Sequence, residues 1–397
     1  PRPAICKKGD LMDSSLYIKG ATVVLPTGST RCDVVVENGR ITGLPRSYAN
    51  LRELPELDAE GMTVLPGFID IHTHGAANVD VNAADEEGLR TIGRFFASQG
   101  VTGWLCSVLT DTPEQTLWCM EQAKRVIEGG PYDGAALLGI HLEGPCLSSE
   151  YKGAMPEHLL MHTASIDLFR EYQDASGGHV RYTTLAPEIP GVEELIPELN
   201  ALGITCAIGH SGAGYDQSMA CVRAGAASAT HLGNAMRLFH QHDPAIWGVA
   251  IESDLYVEAI CDGRHLHPGS VRLYLKSKGW DRVVAITDSI MAAGLPDGNY
   301  KLGVNDVVVE DGDAKLASTG VRAGSTLTLA QALRNIVKFA DTDVEHAVRL
   351  MTKNPATLIG FATKGQIACG YDADLTIADA DLEVARTIVG GRTVYER

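Results

Sequence analysis

The sequence has no run of about 18 apolar residues and no basic start leading into an apolar stretch, so it shows neither a spanning helix nor a signal peptide. A cytoplasmic location is the default expectation. Positive charge is scarce: 33 Lys and Arg stand against 50 Asp and Glu, a formal net charge of −17 over 397 residues. Such a surplus repels nucleic-acid phosphates and anionic lipid, so neither nucleic acid nor membrane is an expected partner. A locally positive pocket still admits an anionic small substrate. Paired cysteine motifs are missing as well. The nine cysteines form no CxxC, are odd in number and sit mostly within apolar runs, which reads as a reduced core rather than a disulfide framework. With 45% hydrophobic and 21% charged residues, the composition excludes a disordered chain and supplies a large core.

Three regions separate by rhythm. Residues 14–63 alternate apolar and polar positions in short runs (LYIKGATVVL, DVVVENGRITGL), with Asn38-Gly39 as a hairpin turn, and residues 365–397 repeat that rhythm. Neither piece buries two sheet faces alone, so both ends are expected to join in one small β-sandwich domain. Between them, residues 64–364 alternate strand-like and helix-like stretches. Eight strand candidates (TVLPGFIDIH, VTGWLCSVLT, ALLGIHLEG, VRYTTLAPE, ITCAIGH, AASATHL, YVEAICDG, RVVAITDS) give the α/β count of a (β/α)8 TIM-like barrel. Among the helices, Leu89, Ile92 and Phe96 recur at helical spacing ahead of Gly100, Pro268 suits a first turn, and Asn354-Pro355 is expected to open a later helix as cap and first-turn proline.

The strands end, one after another, in polar residues able to bind metal or move protons: His72 and His74, Glu143, Glu188, His210, His231, Asp262 and Asp288. In such barrels the C-terminal strand ends form the active-site face, so these side chains are expected to converge. His72 and His74, two apart on a strand, project from one face and present two nitrogen ligands to one metal. Glu143 beside His210 and His231 makes an oxygen-plus-two-nitrogen set with a position left for water, the usual arrangement of catalytic zinc. Asp288 then serves as the carboxylate that takes a proton from water and delivers one to a leaving amine; the plainer alternative is an N-cap for the next segment.

The motifs PGFIDIHTHG, HLEGP, IGHS, THLGNAM, DGRHLHP, TDS and AGSTLTLAQALRN, in this order over nearly the whole chain, resemble N-acetylglucosamine-6-phosphate deacetylases of the amidohydrolase superfamily. The resemblance implies hydrolysis of the N-acetyl group of an amino-sugar 6-phosphate to acetate and the free amine. It implies Glu143, His210 and His231 as principal metal ligands, His72 and His74 as support for a second ion, and Asp288 as catalytic acid and base. One or two divalent ions are expected, zinc first, with iron, cobalt and nickel as alternatives that imidazole and carboxylate donors also admit. Asn234 and Ala235 match positions that hold the phosphate, and His265 a substrate-contacting histidine. A homodimer is implied, since relatives often contact the phosphate across a subunit interface.

Three departures fall on the substrate side. Met155 stands where the resembled family commonly has a histidine near the reacting carbonyl, His242 where it has a phosphate-contacting arginine, and Arg322 where an apolar residue near the acetyl group is usual. A thioether offers no hydrogen bond, and a histidine has fewer donors than a guanidinium. In one reading Arg237, His240, His242 or Arg322 replaces the missing phosphate contact and the substrate is unchanged or is the galactosamine epimer. In another the pocket serves a different N-acyl compound, such as a non-phosphorylated amino sugar or an N-acyl D-amino acid. A catalytically inactive barrel used as a scaffold is the alternative of another class, opposed by the full set of expected ligands.

Overall fold

The computed structural model describes residues 14–46 and 53–397, so Cys6 lies outside the described residues. Eight strands form one parallel sheet in chain order: β1 (Phe68–Asp70), β2 (Val101–Leu109), β3 (Ala136–Glu143), β4 (Val180–Leu185), β5 (Thr205–Ile208), β6 (Ser228–Ala229), β7 (Tyr256–Ile260) and β8 (Val283–Ile286). A helix follows every strand, from Glu86–Ser98 after β1 to Leu329–Ala340 after β8. The ring is completed just beyond the strand ends. There Thr73 and Ser289 bridge in parallel, the Asp288 N–H donates to the His72 carbonyl at 2.9 Å, and the His74 N–H donates to the Ser289 carbonyl at 2.7 Å. The protein is a (β/α)8 barrel, as the alternation of strand and helix implies.

Local chemistry accounts for the elements. All nine residues of β2 are buried, as expected of a parallel strand covered on both faces. The helix Glu86–Ser98 starts at Asp85, whose carboxylate accepts from the Gly88 N–H, and buries Leu89, Ile92 and Phe96. Pro268 opens the helix Pro268–Lys278. The expected cap at Asn354 is corrected: the helix Lys353–Ile359 is preceded by Thr352, and the buried Asn354 amide donates instead to the carbonyls of Trp280 and Val283 at 2.8 and 2.7 Å. Those carbonyls flank the start of β8 and need a donor once buried. The eight described cysteines are free, and all but Cys369 are buried.

Strands from both ends of the chain share one sheet, in the order Gly28–Arg31, Thr22–Leu25, Thr63–Pro66, Leu375–Ala378, Val384–Val389, Arg392–Glu396. A four-stranded sheet faces it across a core that includes Ile18, Val34, Ile41, Val64, Leu375 and Ile388. Asn38 and Gly39 connect Val34–Glu37 to Arg40–Gly43 with φ of 53° and 76°, the doubly positive turn that matches strand twist. A further antiparallel sheet follows β8 and was not expected: β9 (Gly298–Leu302), β10 (Asn305–Glu310) and β11 (Asp313–Leu316). The alternation in VNDVVVEDGDAKL and the Asp311-Gly312 turn carry its signal. It buries Leu302, Val307 and Val309 against Leu109, Leu147 and Met155, forming a wall beside the barrel mouth.

A Cβ at Gly39 would lie 2.9 Å from the Gly390 carbonyl oxygen in a left-handed backbone. Gly39→Ala is therefore expected to destabilise the protein by about 1–2 kcal/mol, read as a lower midpoint in urea. No change in midpoint would mean that the hairpin does not couple to the sheet it touches.

Candidate metal centre

Six of the strand-end residues meet at the C-terminal mouth of the barrel. Glu143, the last residue of β3, is 3% exposed and sits at the centre. Its Oε1 lies 3.2 Å from His72 Nε2, 3.1 Å from His210 Nε2 and 3.2 Å from His231 Nε2, and its Oε2 lies 3.2 Å from His74 Nε2. Asp288 Oδ1 is 3.2 Å from His74 Nε2 and 3.6 Å from His72 Nε2. His210, His231 and Asp288 have φ of 48°, 27° and 49°, left-handed conformations that cost about 1–3 kcal/mol each and are held by the surrounding fold.

Three of the four opposite ring nitrogens are tied down, and His231 Nδ1 is buried without a partner. His74 Nδ1 lies 3.0 Å from the Ser107 carbonyl and His210 Nδ1 lies 2.8 Å from the Tyr151 carbonyl. Carbonyls only accept, so both Nδ1 atoms carry hydrogen and both Nε2 atoms present a lone pair when neutral. His72 Nδ1 lies 3.0 Å from Glu258 Oε2. Glu258, fully buried in β7, also accepts from the Tyr182 hydroxyl at 2.6 Å and from the His231 N–H at 3.1 Å. His72 Nε2 is buried without a hydrogen-bond partner, and His210 and His231 bring their Nε2 atoms within 3.1 Å of each other. Converging imidazole lone pairs around a carboxylate, with His72, His74 and His210 fixed from behind through Nδ1, fit a divalent cation. Two overlapping triads have ligand atoms close enough to share an ion: His72, His74 and Asp288, and His72, Glu143 and His231.

Charge follows the same geometry. Burial opposes protonation of His72, but Glu143 and Glu258 beside it hold its pKa well above the usual imidazole value. Burial likewise opposes charge on His74, which Glu143 and Asp288 nevertheless raise to about 9. Against their own burial, Glu143 is held well below the carboxylate range mainly by His72 and His210, and Asp288 is lowered by His74 and His72. His141, stacked edge-on against His72, is kept neutral by burial and by the charge of His72.

The strand-end expectation is corrected at two positions. Glu188 accepts from the Ser211 hydroxyl and the Gly212 N–H, both at 2.6 Å, and Asp262 holds His265 Nδ1 at 2.7 Å; each shapes a loop rather than joining the ligand cluster. Glu258, Tyr182 and His141 were missed. A glutamate inside the apolar run YVEAI is the one signal that marks Glu258 from sequence.

A cavity of about 380 Å³ opens above the cluster, with His74, Glu143, His210, His231 and Asp288 on its floor. Asn234, Ala235, His265, Arg322 and Met155 line its walls. Arg237 and His242 are not brought to it. Arg237 pairs with Asp243 at 2.8 Å, and the exposed His242 borders a separate groove beside Tyr215 and Pro244. A bridge between His240 and Asp243 turns this segment outward, leaving Leu238 and Phe239 exposed.

This barrel with histidines and acids at its strand ends belongs to the amidohydrolase family, whose model matches residues 63–394. Within that family the chain groups with the N-acetylglucosamine-6-phosphate deacetylases. It is 35% identical to the enzyme of that name from Lysinibacillus sphaericus, over 95% of this chain and 97% of that protein, and 33% identical to that of Bacillus subtilis (strain 168), over 97% and 98%. The crystal structure of N-acetyl-D-glucosamine-6-phosphate deacetylase from Mycobacterium smegmatis superposes with a TM-score of 0.89 at 32% identity, covering 96% of this chain and all of that one. A mutant of the same enzyme in complex with N-acetyl-D-glucosamine-6-phosphate superposes with a TM-score of 0.88 at 33% identity, covering 96% of this chain and 99% of that one.

Glu258→Gln removes the charge that fixes His72 while leaving the side-chain shape. It is expected to weaken zinc binding by about 10–100-fold, read by competition with a chromophoric chelator, with the circular dichroism spectrum retained. Unchanged affinity would show that His72 is oriented by packing alone.

Proposed function

We propose that this protein is a metal-dependent hydrolase that converts N-acetylglucosamine 6-phosphate to acetate and glucosamine 6-phosphate. The observation that carries the reading is the position of Asp288: its carboxylate faces His72 and His74 in the ligand cluster and also lines the cavity floor. Identity to deacetylases over nearly the whole chain supports the substrate class. We assign Glu143, His210 and His231 as the principal ligands and His72 and His74 as ligands of a second ion, with zinc as the first candidate.

A bound divalent cation supplies the positive charge that acidifies water and polarises the acetamide carbonyl. Asp288, held ionised by its histidine neighbours, accepts a proton from the attacking water as the oxygen adds to the acetamide carbon. An amide anion is too basic to leave, so the C–N bond breaks as Asp288 returns that proton to nitrogen, giving the amine and acetate. Asn234 and Ala235 on one wall and His265, oriented by Asp262, on another position the sugar phosphate. We divide the chain into a small β-sandwich of residues 14–63 and 365–397 and a catalytic barrel of residues 64–364. The sheet shared by both ends supports this division, although its strand Thr63–Pro66 crosses the first boundary. A homodimer and a cytoplasmic location complete the reading; no described helix is long and apolar enough to cross a membrane.

The metal-loaded protein is expected to release acetate from N-acetylglucosamine 6-phosphate, with stoichiometric metal by elemental analysis. Asp288→Asn is expected to lower kcat by about 10²–10⁴-fold while the metal remains bound. A chelator should abolish turnover and added zinc restore it. A variant as fast as the wild type would remove Asp288 from the reaction, and a metal-free, inactive wild type would favour the scaffold alternative.

A further inference from the structure

Among the described residues, Arg322 is the one Lys or Arg side chain that lines the cavity above the metal centre. Other cations nearby are engaged elsewhere: Arg237 with Asp243, and Lys152 with the Met155 carbonyl. Arg322 is held as a fork, Nε to Asp313 Oδ1 at 2.6 Å and Nη2 to Asp313 Oδ2 at 2.9 Å, while Nη1 donates to the Arg264 carbonyl at 3.2 Å. Of the five N–H groups of a guanidinium, this leaves two, one on each terminal nitrogen.

Asp313 does not serve Arg322 alone. Lys315 Nζ lies 3.1 Å from Asp313 Oδ2, so that carboxylate is shared between two cations, while Asp262 also acts on Arg322 as a second carboxylate. Hydrogen bonding from Arg322 holds Asp313 down to about 2, so it stays ionised at any working pH. The backbone is equally fixed. Residue 322 pairs with Lys315 in an antiparallel bridge, Leu316 N–H donates to the Val321 carbonyl at 2.8 Å and Ala323 N–H to the Ala314 carbonyl at 3.1 Å, extending the β9–β11 sheet by one edge. Three residues on, the Ser325 N–H donates to the Asp288 carbonyl at 2.7 Å, which keeps the guanidinium in fixed register with the reacting end of the cavity.

We propose that Arg322, oriented by Asp313, is the residue through which this protein selects the phosphorylated over the unphosphorylated N-acetylated sugar, its two remaining N–H groups receiving phosphate oxygens. A planar guanidinium with paired donors suits a phosphate, and a pre-oriented one loses little side-chain freedom on binding. This role rests on the deacetylase reading. It also explains how an acidic protein holds a dianion: the cation is carried by the added sheet and not by the loop of Arg237 and His242.

The test compares metal-loaded wild type, Arg322→Leu and Arg322→Lys on N-acetylglucosamine 6-phosphate and N-acetylglucosamine, with calorimetric titration of glucosamine 6-phosphate into each protein. Arg322→Leu is expected to lower the ratio of kcat/KM for the phosphorylated over the unphosphorylated substrate by about tenfold or more, chiefly through KM. It should weaken glucosamine 6-phosphate binding by a similar factor, and Arg322→Lys should regain part of both. An unchanged ratio and Kd, or equal losses on both substrates with Lys no better than Leu, would overturn the proposal. A wild type that hydrolyses neither sugar would refute the deacetylase reading instead, and the titration would then decide the role of Arg322 by itself.

Discussion

One buried carboxylate faces four imidazole nitrogens. Glu143 lies within 3.2 Å of the Nε2 atoms of His72, His74, His210 and His231, at the end of a strand and almost out of reach of water. Such a cluster is unfavourable on its own terms. Lone pairs pointed at a carboxylate repel it, and burial removes the solvent that would screen them. The arrangement becomes favourable only with positive charge inside it, which protons supply in part and a divalent ion supplies better. Much of the surrounding structure serves to keep these groups from turning away.

That restraint works at two distances. Close by, the Ser107 and Tyr151 carbonyls and the Glu258 carboxylate take the Nδ1 hydrogens, so three rings cannot flip without losing a buried hydrogen bond. Farther out, the strands deliver their last residues to one plane, and the left-handed backbone at His210, His231 and Asp288 bends each chain sharply enough to aim its side chain inward. Glu258 joins the two levels, since it holds the His72 ring, the His231 backbone and the Tyr182 hydroxyl together.

The parts legible in the sequence are those whose signal is local. Eight apolar strands, the His72 and His74 pair in phase, and the acids and histidines that close the strands are all read within a few residues of themselves. What escapes is relational. Glu188 and Asp262 look like Glu143 in sequence, and only the loops folded over them decide that they hold Ser211, Gly212 and His265 instead. Glu258 and His141 act through residues on other strands, and Met155 gains its place from a sheet contributed by residues 298–316. Arg237 and His242 lie close in sequence to Asn234 and Ala235, but a short bridge turns them to another surface.

The barrel seam carries a separate implication for how such a protein changes over time. The bonds that join β1 to β8 run through the main-chain atoms of His72, His74, Asp288 and Ser289, while the side chains of His72, His74 and Asp288 join the cluster with Glu143 and the Ser289 hydroxyl bonds Thr73 and Gly75. At His72, His74 and Asp288 the ring closure and the buried cluster are thus carried by different atoms of the same residues. A lineage is free to exchange the side chains of His72 and His74 by ordinary substitution without opening the ring, whereas position 288, with φ of 49°, favours Asp, Asn or Gly.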